Sequence, residues 1–95
     1  MWYVYFLQLQ NGDVYVGSTK DLRRRFQSHQ SGQVPSTRNH LPATLKAYVA
    51  VQTEGNAREL ERYFKSGSGK AFAGKRLWQT TRPKAIPLHH IEIKQ

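Results

Sequence analysis

From Trp2 to Leu9 nearly every position is apolar or aromatic, Asn11-Gly12 then interrupts, and Val14 to Gly17 resume the apolar pattern. Val, Tyr, Phe and Leu on both sides of a turn dipeptide predict a hairpin of two strands. Ser18, with Asp21 three residues on, has the spacing of a capping box. Leu22, Phe26 and His29 then recur at helical spacing up to Gly32, which predicts a first helix. Residues 33 to 42 are polar, end at Pro42 and read as a loop, while Ala47 to Gln52, with Tyr48, Val49 and Val51, predicts a third strand. Asn56 followed by Glu59 predicts the cap of a second helix, with Ala57, Leu60 and Phe64 on one side and Gly67 and Gly69 as its stop. Ala71 to Trp78 has room for a short third helix, and Ile91 to Ile93 for a short edge strand. The expected fold is α+β: a small three-stranded antiparallel sheet flanked by two main helices and a short third one.

With 95 residues the chain has room for one modest core, placed here over residues 1–79, with residues 80–95 as a tail that can pack on it. Fifteen Lys and Arg against six Asp and Glu give a net charge of +9 and a pI near 10.3, which favours a polyanionic partner, nucleic acid or an acidic membrane surface. There is no cysteine, which excludes a disulfide framework, a thiolate metal site and a Cys nucleophile, and suits a reducing cytoplasm. The apolar start lacks a basic leader and no run approaches membrane-spanning length, so the expectation is a soluble protein, with no membrane partner.

Charge placement on the helices adds candidate chemistry. With Leu22 at the centre of the apolar face and about 100° per residue, Phe26 and His29 fall within roughly 40° of it and Arg25 within roughly 60°. Arg23 and Arg24 point elsewhere. A guanidinium and an imidazole at the edge of a buried face are costly unless something satisfies them; i, i+4 adjacency lets both address one anion. On the second helix Glu59 lies away from the apolar stripe, whereas Glu61 lies inside it, beside Leu60 and Phe64. A carboxylate there calls for a paired Lys or Arg, hydrogen-bond donors or a divalent metal ion.

These residues resemble the GIY-YIG endonucleases, over a stretch from about Trp2 to Trp78. The two namesake motifs stand as Tyr3-Val4-Tyr5 and Tyr15-Val16-Gly17, and Gly17 to His29 is similar to the family's first helix. The resemblance implies metal-dependent phosphodiester hydrolysis with Tyr5, Tyr15, Arg25, His29 and Glu61 as the site. Glu61 would hold one Mg²⁺ or Mn²⁺, Arg25 would neutralise the phosphate's developing charge, and Tyr5 or Tyr15 would assist deprotonation of the nucleophile. A phenol near its ordinary pKa of about 10 needs help from a cation or a hydrogen bond to do so. Tyr3 replaces the glycine of the first motif, and an asparagine common in the family has no counterpart, since Asn39 and Asn56 lie elsewhere. Some relatives carry a functional histidine near the position of His40. A small family member without a domain for reading bases implies DNA, single-stranded or structured, or targeting by a protein partner.

The hairpin register offers an independent test. A two-residue turn at Asn11-Gly12 puts Tyr5 and Tyr15 on opposite faces. A three-residue loop, Gln10 to Gly12 with a left-handed Gly12, pairs Leu7 with Tyr15 and puts both tyrosines on one face, toward Arg25 and Glu61. Lys20, Arg24, Arg38, His40, Lys65, Lys70 and Arg76 are candidate nucleic-acid contacts. Gly67-Ser68-Gly69-Lys70 departs from a phosphate loop at Phe64 and Ala71 and reads as a helix stop. His89-His90 lacks a third ligand at useful spacing. Of the aromatics in the basic segment after Lys70, Phe72 is assigned to the core. Two readings remain, a metal-dependent nuclease and a basic module that binds nucleic acid without cutting it.

Overall fold

The computed structural model describes residues 1–77. The expected edge strand at Ile91–Ile93, the tail and its boundary, Trp78 and His89-His90 lie outside the described residues. Strands β1 (Trp2–Gln8), β2 (Val14–Thr19) and β3 (Thr44–Val51) form one antiparallel sheet in the order β2-β1-β3. Helix α1 (Leu22–Gln30) follows β2, a 3-10 turn (Arg38–His40) precedes β3, and α2 (Glu54–Lys65) and α3 (Gly67–Arg76) follow it. This is the α+β architecture that the periodicity predicts.

Strand alternation divides β1 between two small cores. Tyr3, Tyr5 and Leu7 point to one face, where Leu22 of α1, Ala43 and Leu45 join them and Tyr15, Phe26 and Tyr48 pack alongside. Val4 and Phe6 point to the other, against Val16, Ala47, Ala57 and Phe64 of α2, and Ala73 of α3. Because β1 is central and covered on both faces, it reads as a continuous apolar run.

Leu7 pairs with Tyr15 and Gln8 with Val14. The loop is therefore Gln10, Asn11 and Gly12, closed by the Leu9 amide on the Asp13 carbonyl at 2.8 Å, with Gly12 left-handed at φ +92°. Asn11 bonds the Asp13 side chain and amide instead of occupying a two-residue turn. The three-residue alternative thus describes the hairpin, and both tyrosines face α1. A second irregularity, between Phe6 and Leu7 on β1, accommodates the buried Lys46 of β3.

Several boundaries differ from expectation for local reasons. Helix α1 is capped by Asp21, whose carboxylate accepts from the Arg24 amide at 3.1 Å, while Ser18 stays in β2. Helix α2 is capped by Thr53, not Asn56; its hydroxyl accepts from the Asn56 amide at 3.1 Å. Ser66 ends α2 and caps α3 through the Gly69 amide, so Gly67 and Gly69 begin a helix where a stop was expected. β3 begins three residues before Ala47, since Thr44 and Leu45 pair with Gln8 and Leu7. Phe72, assigned to the core, is 44% exposed.

Candidate active site

The site forms along β2, the edge strand on the α1 side of the sheet. Tyr5 lies opposite Gly17, and the absence of a side chain there is what admits its ring: a β-carbon on Gly17 would sit 2.5 Å from the Tyr5 hydroxyl and 3.0 Å from the Tyr15 ring. The two tyrosine rings lie 6.2 Å apart, and the His29 ring meets Tyr5 at 5.6 Å and Tyr15 at 4.9 Å, edge-on in both cases. His29 Nε2 is 2.9 Å from the Tyr5 hydroxyl, and its Nδ1 is 2.9 Å from the hydroxyl of Thr37. Arg25, one turn before His29, donates from Nε to the Tyr5 hydroxyl at 3.3 Å.

Glu61 reaches the same edge from the opposite side. Its helix α2 packs against the Val4–Phe6 face, so the expectation that all the groups sit on one face is corrected. Ser18, paired with Val4 in β2, donates to Glu61 Oε1 at 2.6 Å, and Lys65 Nζ donates to Oε2 at 2.7 Å. The carboxylate is near enough to Tyr5 for its charge to help raise the phenol. The two sides therefore meet across the narrow strip of β2 at Gly17 and Ser18. The pairing and metal readings of Glu61 are not exclusive, because Lys65 sits at its surface side, 55% exposed against 19% for the glutamate side chain.

Burial pushes the Tyr5 phenol up to about 12 despite the Arg25 hydrogen bond, so it is protonated at neutral pH. The Arg25 guanidinium is pushed up by its hydrogen bond to Tyr5, against a smaller effect of burial, with Tyr15 adding to it. Burial, and then the Arg25 charge, lower His29 to about 4, which keeps it a neutral imidazole. For Glu61 burial acts upward, but the hydrogen bonds from Lys65 and Ser18 and the Lys65 and Arg58 charges outweigh it and hold the carboxyl below its usual range. The result is a cation, a neutral base, two phenols and an ionised carboxylate around one edge.

Over residues 1–76 the chain matches the family profile described as the GIY-YIG catalytic domain. The chain belongs to the GIY-YIG family. Its relatives include a UPF0213 protein of Cupriavidus pinatubonensis, 36% identical over 63% of this chain and 68% of its own length. One from Pseudomonas aeruginosa is 37% identical over 74% of this chain and 68% of its own length. The solution NMR structure of a UPF0213 protein from Bacillus halodurans is 35% identical, covering 75% of this chain and 80% of that one with a TM-score of 0.48. A GIY-YIG domain implies a nucleic-acid substrate, and among the described residues no helix is long and apolar enough to cross a membrane.

In this GIY-YIG chain the fold brings together all five residues singled out from sequence: Tyr5, Tyr15, Arg25, His29 and Glu61. Of the other candidates, Lys65 touches the site directly. Lys20, Arg24, Arg38, His40, Lys70 and Arg76 are exposed and make no hydrogen bond or ion pair with those five side chains; His40 instead accepts from the Gln10 amide through its backbone carbonyl. Two residues escaped the sequence reading. Ser18 has the spacing of a cap it does not make, and Thr37 lies in a stretch with no periodicity, next to Ser36, where nothing in the sequence singles it out. A shallow depression of about 270 Å³ lined by Arg58, Glu61, Arg62 and Lys65 continues the site along α2. A larger cavity of about 520 Å³, between Phe6, Val16, Phe64 and Ala73, involves none of the five residues.

Proposed function

We propose that the protein is a divalent-metal-dependent endonuclease that hydrolyses phosphodiester bonds in DNA, single-stranded or structured, with little base specificity of its own. The observation that carries this reading is the meeting of the Tyr5–Tyr15–Arg25–His29 cluster with the ionised Glu61 across Gly17. Such a set supplies an anion-binding guanidinium, a route for a proton and a hard-oxygen ligand within one edge.

Arg25 binds the scissile phosphate and neutralises the charge that grows on its oxygens; its bonds to Tyr5 and Tyr15 fix the guanidinium, and the donors not used there address the phosphate. Tyr5 and Tyr15 face the nucleophile, with Tyr5 locked by His29 and Arg25 and Tyr15 resting on the His29 ring. Ser18 orients Glu61. Among the described residues no group of three or more His, Cys, Asp or Glu could hold a metal, so a closed protein cage does not fit. A lone ionised carboxylate does fit Mg²⁺ or Mn²⁺, which bind through one or two carboxylates, water and substrate phosphate. Bound at Glu61, such an ion supplies Lewis-acid polarisation of the phosphate. The net charge of +9 and the cations beside Glu61 suit a nucleic-acid strand drawn along α2.

Incubation of the purified protein with single-stranded and duplex DNA, in Mg²⁺, Mn²⁺ or chelator, tests the proposal. Metal-dependent cutting that disappears in Glu61→Ala is expected. Binding without metal-dependent cutting, unchanged by Glu61→Ala, would leave the non-catalytic binding module in its place.

A further inference from the structure

The hydrogen bonds behind Tyr5 form a directed chain. Arg25 carries only donors, so the Tyr5 oxygen accepts from its Nε at 3.3 Å. At the far end, the buried Thr37 hydroxyl has the Val34 carbonyl within 3.4 Å as an acceptor for its own hydrogen. With that hydrogen spent on Val34, the Thr37 oxygen is free to accept from His29 Nδ1 at 2.9 Å. A neutral imidazole protonated at Nδ1 has a bare Nε2, and Nε2 lies 2.9 Å from the Tyr5 hydroxyl. Each hydrogen in the chain then has an acceptor. The opposite tautomer would make Tyr5 accept from two donors and push its hydrogen outward, and would turn the Thr37 hydrogen to Nδ1 and away from the Val34 carbonyl, which also takes the Thr37 and Arg38 amides.

We infer that Thr37 is a positioning residue that sets the tautomer of His29 and thereby the polarity of Tyr5: the Tyr5 hydrogen points inward to His29 Nε2, and its oxygen faces the substrate only as a hydrogen-bond acceptor. This rests on the phosphodiester-cleaving role of the site, and it identifies how a protonated phenol acts there as a base. As the Tyr5 oxygen takes a proton from the attacking water, its own O–H bond breaks and that proton passes to His29 Nε2. The products are a nucleophilic hydroxide, a neutral Tyr5 and an imidazolium that still donates from Nδ1 to Thr37. A phosphate bound on Arg25 offsets the guanidinium charge that opposes the imidazolium. The direction also assigns roles to the two tyrosines, with Tyr5 in the proton route and Tyr15 beside it.

Long-range ¹H–¹⁵N spectra of the His29 ring in the full chain, recorded for wild type, Thr37→Val and Thr37→Ser, test this without any need for turnover. The wild-type ring is expected to be protonated at Nδ1 and bare at Nε2. Thr37→Val, which keeps the shape but has no oxygen, shifts the ring toward the Nε2-protonated form, and Thr37→Ser restores it. In cleavage assays Thr37→Val lowers kcat by roughly 10- to 100-fold with KM little changed, and Thr37→Ser recovers most of the loss. A wild-type ring protonated at Nε2 overturns the inference, whatever Thr37→Val does to folding. So does a Thr37→Val protein that keeps the Nδ1 tautomer, or one that changes tautomer yet cleaves at the wild-type rate. If the tautomers behave as stated and no protein cuts DNA, the hydrogen-bond direction holds while its catalytic meaning and the nuclease reading fail together.

Discussion

A β-carbon on Gly17 would stand 2.5 Å from the Tyr5 hydroxyl and 2.6 Å from the carbon that bears it. Tyr5 cannot retreat, because it is buried and held by His29 and Arg25. Gly17→Ala is therefore expected to lower stability by about 1–3 kcal/mol, the usual cost of overpacking, and to break the Tyr5–His29 bond, seen as a changed His29 ring signal; a Gly17→Ala protein with wild-type melting temperature and spectrum contradicts the packing described here. His29 makes a second residue-level prediction. In the unfolded chain it takes a proton below about pH 6.5, whereas burial and Arg25 hold it to about pH 4 in the fold. Between those values the unfolded state binds more protons, so stability is full above pH 6.5 and falls as the pH drops toward 4, by on the order of 3 kcal/mol at most. A His29 ring that titrates by NMR near 6.5 would contradict this. Arg25, His29 and Glu61 were legible in the sequence because helical angle alone puts charge on an apolar face. Thr37 was not, because its role depends on the path of a loop that periodicity does not describe.

At the level of elements, the two tyrosines share a face because the hairpin spends three residues on its loop. Gly12, left-handed at φ +92°, carries that geometry. Gly12→Val should cost about 1–2 kcal/mol in left-handed strain, measurable by chemical denaturation, with the Leu7–Tyr15 register kept if the turn holds. The helix starts were read less well than the helices themselves. Ser18/Asp21 and Asn56/Glu59 both satisfy the capping-box spacing, yet the chain caps with Asp21 and Thr53. Spacing does not reveal which hydroxyl or carboxylate the preceding strand leaves free. Thr53→Ala is expected to destabilise the protein by about 1 kcal/mol while Asn56→Ala changes it far less, and a denaturation series on the pair decides the assignment. Ser18 shows how the two readings connect: released from capping, it is the residue through which β2 holds Glu61.

At the scale of the whole molecule, the central strand sorts its side chains into two cores, and the site lies where the two meet at β2, the edge of the sheet among the described residues. Sheet order was not readable from one sequence, so the arrival of Glu61 from the far face was not either. Arg58, Arg62 and Lys65 surround Glu61 at that edge, so DNA affinity should fall with salt, and Arg62→Ala should flatten the log–log slope by about 0.7 for a single strand; an unchanged slope removes Arg62 from the interface. In the proposed function, Glu61 on one side and Tyr5, Tyr15 and His29 on the other form one metal-dependent site. Paramagnetic broadening by Mn²⁺, read on the Tyr5, Tyr15 and His29 ring signals in wild type and Glu61→Gln, tests it most directly. Strong broadening of all three rings is expected in wild type, with its loss in Glu61→Gln. Rings left sharp by Mn²⁺, or broadened equally in both proteins, would contradict it.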